Sequence, residues 1–262
     1  MSSINRSIQA MELLARKGPL GVRAVAQQLS LPVGSVHRML LDLAEERVVE
    51  RTQEGAWELS HRLLEITGLQ LDRVEFPRLA HPFCERIAET TKETVNVNAL
   101  SGLTAVCVDK VRGNEGMQLD WRIGSRGPLY CGGAGKAILA FLSDADQERV
   151  LAEPLPSFTP ATISNPATLR AELARIRKRG YSIDNQEIVT GVFCVAVPIL
   201  DRLARPVGAI SVTGPTPKAA GSEIQPIVQM LNEACAHVSR RLGYVGEWLP
   251  GQSVAKRARA TV

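Results

Sequence analysis

The chain has 262 residues, of which 45% are hydrophobic and 22% charged, and its formal net charge is +4 at pH 7. This is the composition of a globular protein long enough for two domains, and no apolar run approaches the roughly 18 residues of a membrane span. The polar residues 1–5 lead directly into a helical pattern, so we expect no signal peptide and a cytoplasmic protein.

The cysteines and histidines form no recognisable disulfide or metal pattern. The five cysteines are widely spaced and odd in number, and the four histidines include no HxxxH pair. Disulfide frameworks and zinc sites need closer or paired spacing. We therefore predict no metal and no cofactor.

The first 45 residues carry three segments with apolar side chains at helical spacing. Residues 4–17 form the first, which ends at Gly18-Pro19, and residues 21–29 form the second. A tight break at residues 30–32 follows, and Pro32 suits the first turn of a new helix. The buried stripe of that third helix is predicted to be Val36, Met39, Leu40 and Leu43.

Two short helices joined by such a turn are typical of a helix-turn-helix, whose second helix enters the major groove of DNA. Ser35, His37 and Arg38 would face outward at its start, and their side chains suit phosphate or base-edge contacts. Alternatively, Arg38 is a solvated surface residue and His37 a capping or packing residue.

A β-hairpin is predicted directly after this helix, because residues 48–51 and 56–59 flank a turn-like stretch. A hairpin in that position is a wing. Residues 1–75 contain nine Lys/Arg and ten Asp/Glu, so DNA binding is inferred from the pattern and not from net charge. The same helices and hairpin are also compatible with part of an α/β core.

A single helix over residues 61–74, closed by Pro77, is predicted to link the wing to a second domain and to contribute to a dimer. The predicted organisation is a DNA-binding domain (1–60), a linker helix (61–75), an effector domain (76–246) and a flexible basic tail (247–262).

The second domain is predicted to be α+β, an antiparallel sheet flanked by helices. Val95 and Val97 alternate with Asn96 and Asn98, which indicates a half-buried strand. The predicted strands are 93–100, 104–111, 116–123, 192–200 and 206–213, and the predicted helices are 77–90, 133–142, 168–179 and 222–242.

A glycine-rich stretch, residues 132–136, precedes one of these helices. It is not a phosphate-binding P-loop, because Tyr130 stands where glycine is required and Ala137 where Ser or Thr is required. It predicts either an anion site at a helix start or close helix–sheet packing, and the two are compatible. Cys194 lies in an apolar strand and is predicted to be an inert thiol. With no GxSxG motif, we predict no catalytic residue.

Cationic and aromatic residues cluster around the predicted strand 116–123. Such groups suit an aromatic or carboxylate ligand, although a solvated strand edge is the alternative for each of them. They are Lys110, Arg112, Trp121, Arg122, Arg126 and Tyr130.

Four segments of the chain are specific enough to indicate a family when they are taken in this order: LPVGSVHRML (31–40), CGGAGKA (131–137), RGYSIDNQE (179–187) and AISVTGP (209–215). With them the chain resembles the IclR family of bacterial transcription regulators from about Ile4 to Gly243. The resemblance implies a winged helix-turn-helix, a linker helix and a GAF-like effector domain in a protein that forms dimers or tetramers.

The resemblance also implies site residues. The DNA contacts would be Arg23, Val33, Gly34, Ser35, His37 and Arg38. The effector pocket would comprise Met117, Leu119, Trp121, Gly133, Asp184, Cys194, Ser211 and Thr213. The family usually has Lys-Ser/Thr-Thr where this chain has Val33-Gly34-Ser35. That difference removes a phosphate-contacting lysine, and a glycine in a helix interior costs about 1 kcal/mol.

The sequence thus predicts a regulator of catabolic genes that binds duplex operator DNA and senses a small organic or aromatic acid through its carboxylate. It predicts no membrane association. Two alternatives remain at this point: a metabolic enzyme acting on a small acid, with structural N-terminal helices, and an architectural DNA-binding protein without a ligand.

Overall fold

A computed structural model describes residues 2–71, 75–113, 121–215 and 224–248. The chain divides into two compact units, Met1–Glu75 and Phe76–Val262. Within the described ranges, no helix has the length and apolar character needed to cross a bilayer.

The first unit is a three-helix winged helix-turn-helix, as predicted. Its core joins all three helices to the hairpin through Leu14, Val25, Val36, Leu40 and Trp57, and each such side chain contributes about 1.5–3 kcal/mol by leaving water. The elements are α1 (Ser3–Lys17), α2 (Val22–Leu29), α3 (Val33–Glu45), β1 (Val49–Arg51), β2 (Trp57–Leu59) and α4 (Arg62–Leu71).

The helix boundaries follow from local backbone chemistry. Gly18 ends α1 at a φ of 78°, and its N–H donates to the Leu14 carbonyl at 2.9 Å. Glycine reaches this left-handed region without steric cost. Ser30 ends α2 with left-handed helical dihedral angles, at a φ of 54° and a ψ of 44°, and Pro32 precedes the first residue of α3.

Helix α4 covers most of the predicted linker, and residues 72–74 lie outside the described residues. The prediction that Pro77 closes this segment is wrong, because Pro77 lies in the first turn of α5 (Glu75–Thr91). Proline is tolerated there, since the first-turn N–H groups have no partner within a helix.

The second unit contains a six-stranded antiparallel sheet in the order β5-β4-β3-β8-β7-β6. This confirms the predicted α+β architecture. After α5, its elements are β3 (Thr94–Ser101), β4 (Thr104–Val111), β5 (Arg126–Pro128), α6 (Gly133–Leu139), α7 (Asp144–Ala152), α8 (Pro166–Arg179), β6 (Ser182–Asn185), β7 (Val192–Leu200), β8 (Pro206–Pro215) and α9 (Ile224–Arg241).

Both faces of the central strands are covered. Helix α6 packs against β7 and β8, on the face where Ala196 joins a cluster with Ala137 and Leu173. Helix α9 packs against the same two strands. Because Val195 and Val197 on the opposite face of β7 are also fully buried, α9 covers that face.

Three features differ from the predicted layout. The expected half-buried strand, β3, is buried on both faces, and Asn96 and Asn98 are 5% and 3% exposed. Of the expected strand 116–123, residues 116–120 lie outside the described residues and residues 121–123 are not part of a strand, while β5 pairs with β4 at that edge of the sheet. Helix α7 and strand β6 were not predicted.

Candidate DNA interface and ligand cavity

The outer surface of α3 carries the predicted DNA contacts. Val33, Gly34, Ser35 and Arg38 are exposed and His37 is partly buried, while Val36 and Leu40 face the core. Arg23 is exposed on α2. One face of α3 therefore points outward, and Ser35 and Arg38 are the exposed polar side chains on it.

The start of α3 is open to an anion. Pro32 supplies no side-chain hydrogen bond to the first-turn amides, and the first turn contains no acidic residue. Unpaired amides and the helix dipole favour a phosphate at such a position. A Cβ added at Gly34 would meet nothing within 4 Å, and Gly34 lies in the first turn, where the penalty for an interior glycine does not fully apply.

The wing contacts the recognition helix through one side chain that the sequence did not indicate. The Arg51 guanidinium of β1 lies 3.3 Å from Nε2 of His37 and stacks 4.6 Å from the centroid of the Trp57 ring. His37 thus has a defined partner on the hairpin.

In the second unit, a cavity of about 300 Å³ lies between the sheet and α6. Six of the predicted effector residues line it, and the other two, Met117 and Leu119, lie outside the described residues. The six are Trp121, Gly133, Asp184, Cys194, Ser211 and Thr213. The volume is at the lower end of the range for small-molecule sites.

The sheet presents two polar rows to this cavity. Strand pairing places Thr94, Thr213, Cys194 and Asp184 side by side across four strands, and Asn96 is opposite Ser211 in the next row. Residues two apart on a strand share a face. The Asn96 amide donates to Thr213 Oγ1 at 3.3 Å, whereas its Oδ1 is buried without a hydrogen-bond partner.

Glycine at the start of α6 allows the helix to lie against β7. A Cβ at Gly133 would lie 2.5 Å from the Cys194 sulfur, so close packing alone requires glycine here. The backbone N–H of Gly132 donates to a carboxylate oxygen of Glu187 at 3.3 Å. Close packing of this stretch is therefore observed, whereas its role as an anion site for a ligand stays a prediction, and the Gly132 amide binds a carboxylate of the protein.

Lys136 forms a buried ion pair with Glu187 and also donates to the Ile183 carbonyl at 2.7 Å. The two side chains are only 1% and 6% exposed. The pair fixes α6 to the segment between β6 and β7, from which Ile188 and Val189 line the cavity. This lysine is unavailable to a phosphate.

Burial changes the acid–base properties of the cavity. It raises the pKa of Asp184 to about 6, against the opposing effect of the Glu187 N–H that donates to Oδ1 at 2.6 Å. Burial also raises the pKa of the Cys194 thiol to about 11 and that of Cys131 to about 12. Both thiols are protonated at neutral pH, which is unfavourable for a nucleophile.

The cationic and aromatic cluster is only partly brought together. Lys110 and Trp121 line the cavity, and Lys110 donates to the Trp121 carbonyl. Arg126 instead bonds the Ser101 and Thr104 hydroxyls at the sheet surface. The remaining three do not line the cavity: Arg112 and Arg122 are exposed, and the Tyr130 hydroxyl donates to the Pro156 carbonyl.

Three further residues belong to this site although no sequence motif pointed to them: Asn96, Lys136 and Glu187. For Asn96 the signal was the alternation in β3, which indicates a polar face without revealing whether water or a cavity meets it. For Lys136 the signal was its position within an otherwise apolar helix. A charge there must find a buried partner.

A winged helix-turn-helix with an open recognition face defines a DNA-binding protein, and its second unit holds a cavity with polar side chains on the sheet side. Residues 3–53 match the IclR helix-turn-helix domain, and residues 69–240 match the bacterial transcriptional regulator IclR C-terminal domain. The chain belongs to the IclR family of bacterial transcriptional regulators. It is therefore a DNA-binding regulator and not the metabolic enzyme that the sequence left open.

Relatives and solved structures extend over nearly the whole chain. It is 31% identical to the HTH-type transcriptional regulator BhcR of Paracoccus denitrificans, covering 90% of this chain and 86% of that one. The IclR crystal structure from Thermotoga maritima aligns with a TM-score of 0.81 and 31% identity, over 92% and 99% of the two chains. An IclR homologue from Microbacterium hydrocarbonoxydans, complexed with 4-hydroxybenzoate, has the same fold (TM-score 0.81, 23% identity, 92% and 99% coverage).

Proposed function

We propose that this regulator controls catabolic genes from the cytoplasm in response to a small organic or aromatic acid that carries a hydroxyl group. The observation that carries this proposal is the cavity of about 300 Å³ with two polar rows on its sheet side. The 4-hydroxybenzoate bound by the Microbacterium homologue is an acid of this kind.

The chemistry of the cavity supports one orientation of the acid. Its carboxylate would lie near the start of α6, where backbone amides and the Ser211 and Thr213 hydroxyls can donate. Its hydroxyl would donate to the Asp184 carboxylate, which lies in the same row as Cys194 and Thr213.

The cavity variants provide the main test. A Ser211→Ala/Thr213→Val double variant is expected to bind a cognate acid at least about a hundredfold more weakly, because two donors to the carboxylate are lost, each a charged hydrogen bond of about 1.5–3 kcal/mol. Thr104→Val removes a hydroxyl from the same sheet outside the cavity and serves as the control. Gly133→Val is unsuitable, because its side chain would collide with Cys194.

Calorimetry measures these affinities, after a thermal-shift panel of keto acids and of the pair 4-hydroxybenzoate and benzoate. An acid at about 100 times its Kd should add about 2.7 kcal/mol of stability. Wild-type affinity in the double variant would place the carboxylate elsewhere.

The pH dependence of binding tests whether the hydroxyl or the carboxylate of the ligand faces Asp184. With a pKa of about 6, Asp184 is about 90% ionised at pH 7 and about 10% ionised at pH 5. If it accepts the ligand hydroxyl, affinity should fall by up to about tenfold between pH 7 and pH 5. A rise in affinity over that interval would mean that the ligand carboxylate lies against Asp184.

We also propose that the protein forms a homodimer, which can pair into a tetramer. No side chain of α4 is buried among its described residues, and Leu64 and Leu69 are 68% and 69% exposed. A second copy is the natural partner for this face, because palindromic operators require two-fold symmetry. Light scattering at micromolar concentration should give at least a dimer, and Leu64→Glu/Leu69→Glu should shift the mass toward the monomer. A wild-type monomer would reject the proposal.

Regulation then requires that the acid prefers one arrangement of the dimer over another. The change in DNA affinity cannot exceed this difference in ligand affinity between the two arrangements.

The basic tail, including Lys256, Arg257 and Arg259, lies outside the described residues.

A further inference from the structure

Arg51 on the wing contacts the imidazole ring of His37 on the recognition helix. Nη2 of Arg51 lies 3.3 Å from Nε2 of His37. A guanidinium group can only donate hydrogen bonds. In this contact Nε2 is therefore the acceptor, an arrangement that fits the tautomer with its proton on Nδ1.

Contacts with Trp57 hold the Arg51 side chain next to His37. It is the cross-strand partner of Trp57, and its guanidinium lies over the Trp57 ring at 4.6 Å. Trp57 is only 3% exposed, and its backbone is paired on its other edge with Leu20 through two hydrogen bonds of 2.9 Å. The Trp57 ring on which the Arg51 guanidinium stacks is therefore fixed in the core of the first unit.

We propose that Arg51 is a positioning residue for DNA recognition, which fixes His37 as the Nδ1–H tautomer. The partner chosen for one imidazole nitrogen determines the role of the other. His37 then offers a donor to a base edge in the major groove, and the groups that accept it there are guanine O6 and N7, adenine N7 and thymine O4. The amino group of cytosine is excluded at that position, since it is itself a donor.

The tautomer can be measured directly in the full-length protein. With ¹⁵N-histidine labelling at pH 7.5, long-range ¹H–¹⁵N correlation should show a protonated Nδ1 and an unprotonated Nε2 for His37, and His37→Gln assigns the signal. In Arg51→Met, which keeps an apolar side chain over Trp57 without the donor, His37 should change to the Nε2–H form that imidazole prefers in water. Nε2–H in the wild type, or an unchanged Nδ1–H form in Arg51→Met, would overturn the proposal.

DNA selection tests the consequence for recognition. Duplexes selected from a random pool by the wild-type protein give the operator, and each base pair is then substituted in turn. Arg51→Met and His37→Gln should lose discrimination at the same base pair by about tenfold, and the double variant should lose no more than either single variant.

Arg16→Met, on α1, removes the same charge and serves as the control. If Arg51 acted only through its charge, Arg51→Met would weaken binding uniformly across all sequences. Uniform weakening would therefore contradict a positioning role even if the tautomer were as proposed.

Discussion

Arg38→Ala is expected to abolish specific operator binding while the protein remains folded. Arg38 is exposed on α3 between the buried Val36 and Leu40, so its side chain faces away from the core. An outward arginine on a recognition helix contacts a phosphate or a base edge. A bidentate base contact is worth about 1–3 kcal/mol, and a dimer would lose it twice, for a total of about 2–6 kcal/mol.

The measurement is a mobility-shift titration on the selected operator and on a scrambled duplex. Arg16→Ala, which removes a positive charge from α1, controls for the loss of nonspecific attraction, and circular dichroism monitors the fold. The affinity of Arg38→Ala for the operator should approach the affinity of the wild-type protein for the scrambled duplex. Unchanged operator affinity would mean that Arg38 is the solvated surface residue of the alternative interpretation.

The sequence predicted the first unit well because its signals are local. The predicted helix 4–17 and the observed Ser3–Lys17 differ by one residue, since Gly18 and Pro19 end the helix whatever surrounds it. The wing could be predicted because a turn-like stretch separates two short segments with strand character. The contact between Arg51 and His37 has no such signal, because the two residues are 14 positions apart and meet only in the folded unit.

The second unit was predicted less completely, because several of its features have no local sequence signal. Strands β4 and β7 agree with their predicted bounds because they are long apolar or alternating runs. Strand β6 has only four residues, and α7 buries only Val150 and Leu151, so neither has a strong period. The role of Asn96 depends on what covers the sheet, and periodicity carries no information about the covering layer.

The cavity residues were inferred from the family resemblance, because sequence spacing alone does not predict which residues on different strands lie together. Strand register places Asp184, Cys194 and Thr213 in one row, although they come from three strands. No spacing rule within the sequence would have brought them together. Their role in binding an effector remains a prediction for the variants proposed above.

Lys136→Met is expected to lower the free energy of unfolding by about 3–5 kcal/mol, the usual cost of leaving one buried charge without its partner. Glu187 would stay in a site where its side chain is 6% exposed. Burial already raises its pKa, and Lys136 is the main group that opposes this rise. Without the lysine, the pKa of Glu187 rises further, so folding takes up a proton. The loss of stability should therefore be larger at pH 8 than at pH 5.5.

Urea unfolding of the full chain at fixed concentration measures this loss at both pH values. Lys136→Met/Glu187→Leu should be less destabilised than Lys136→Met, because no charge remains buried, although Gly132 and Ile183 each lose a hydrogen-bond partner. Arg170→Met breaks the exposed pair between Arg170 and Glu148 and should change stability little, since exposed ion pairs contribute little. If Lys136→Met cost no more than Arg170→Met, the buried pair would not be what holds α6 against the wall of the cavity.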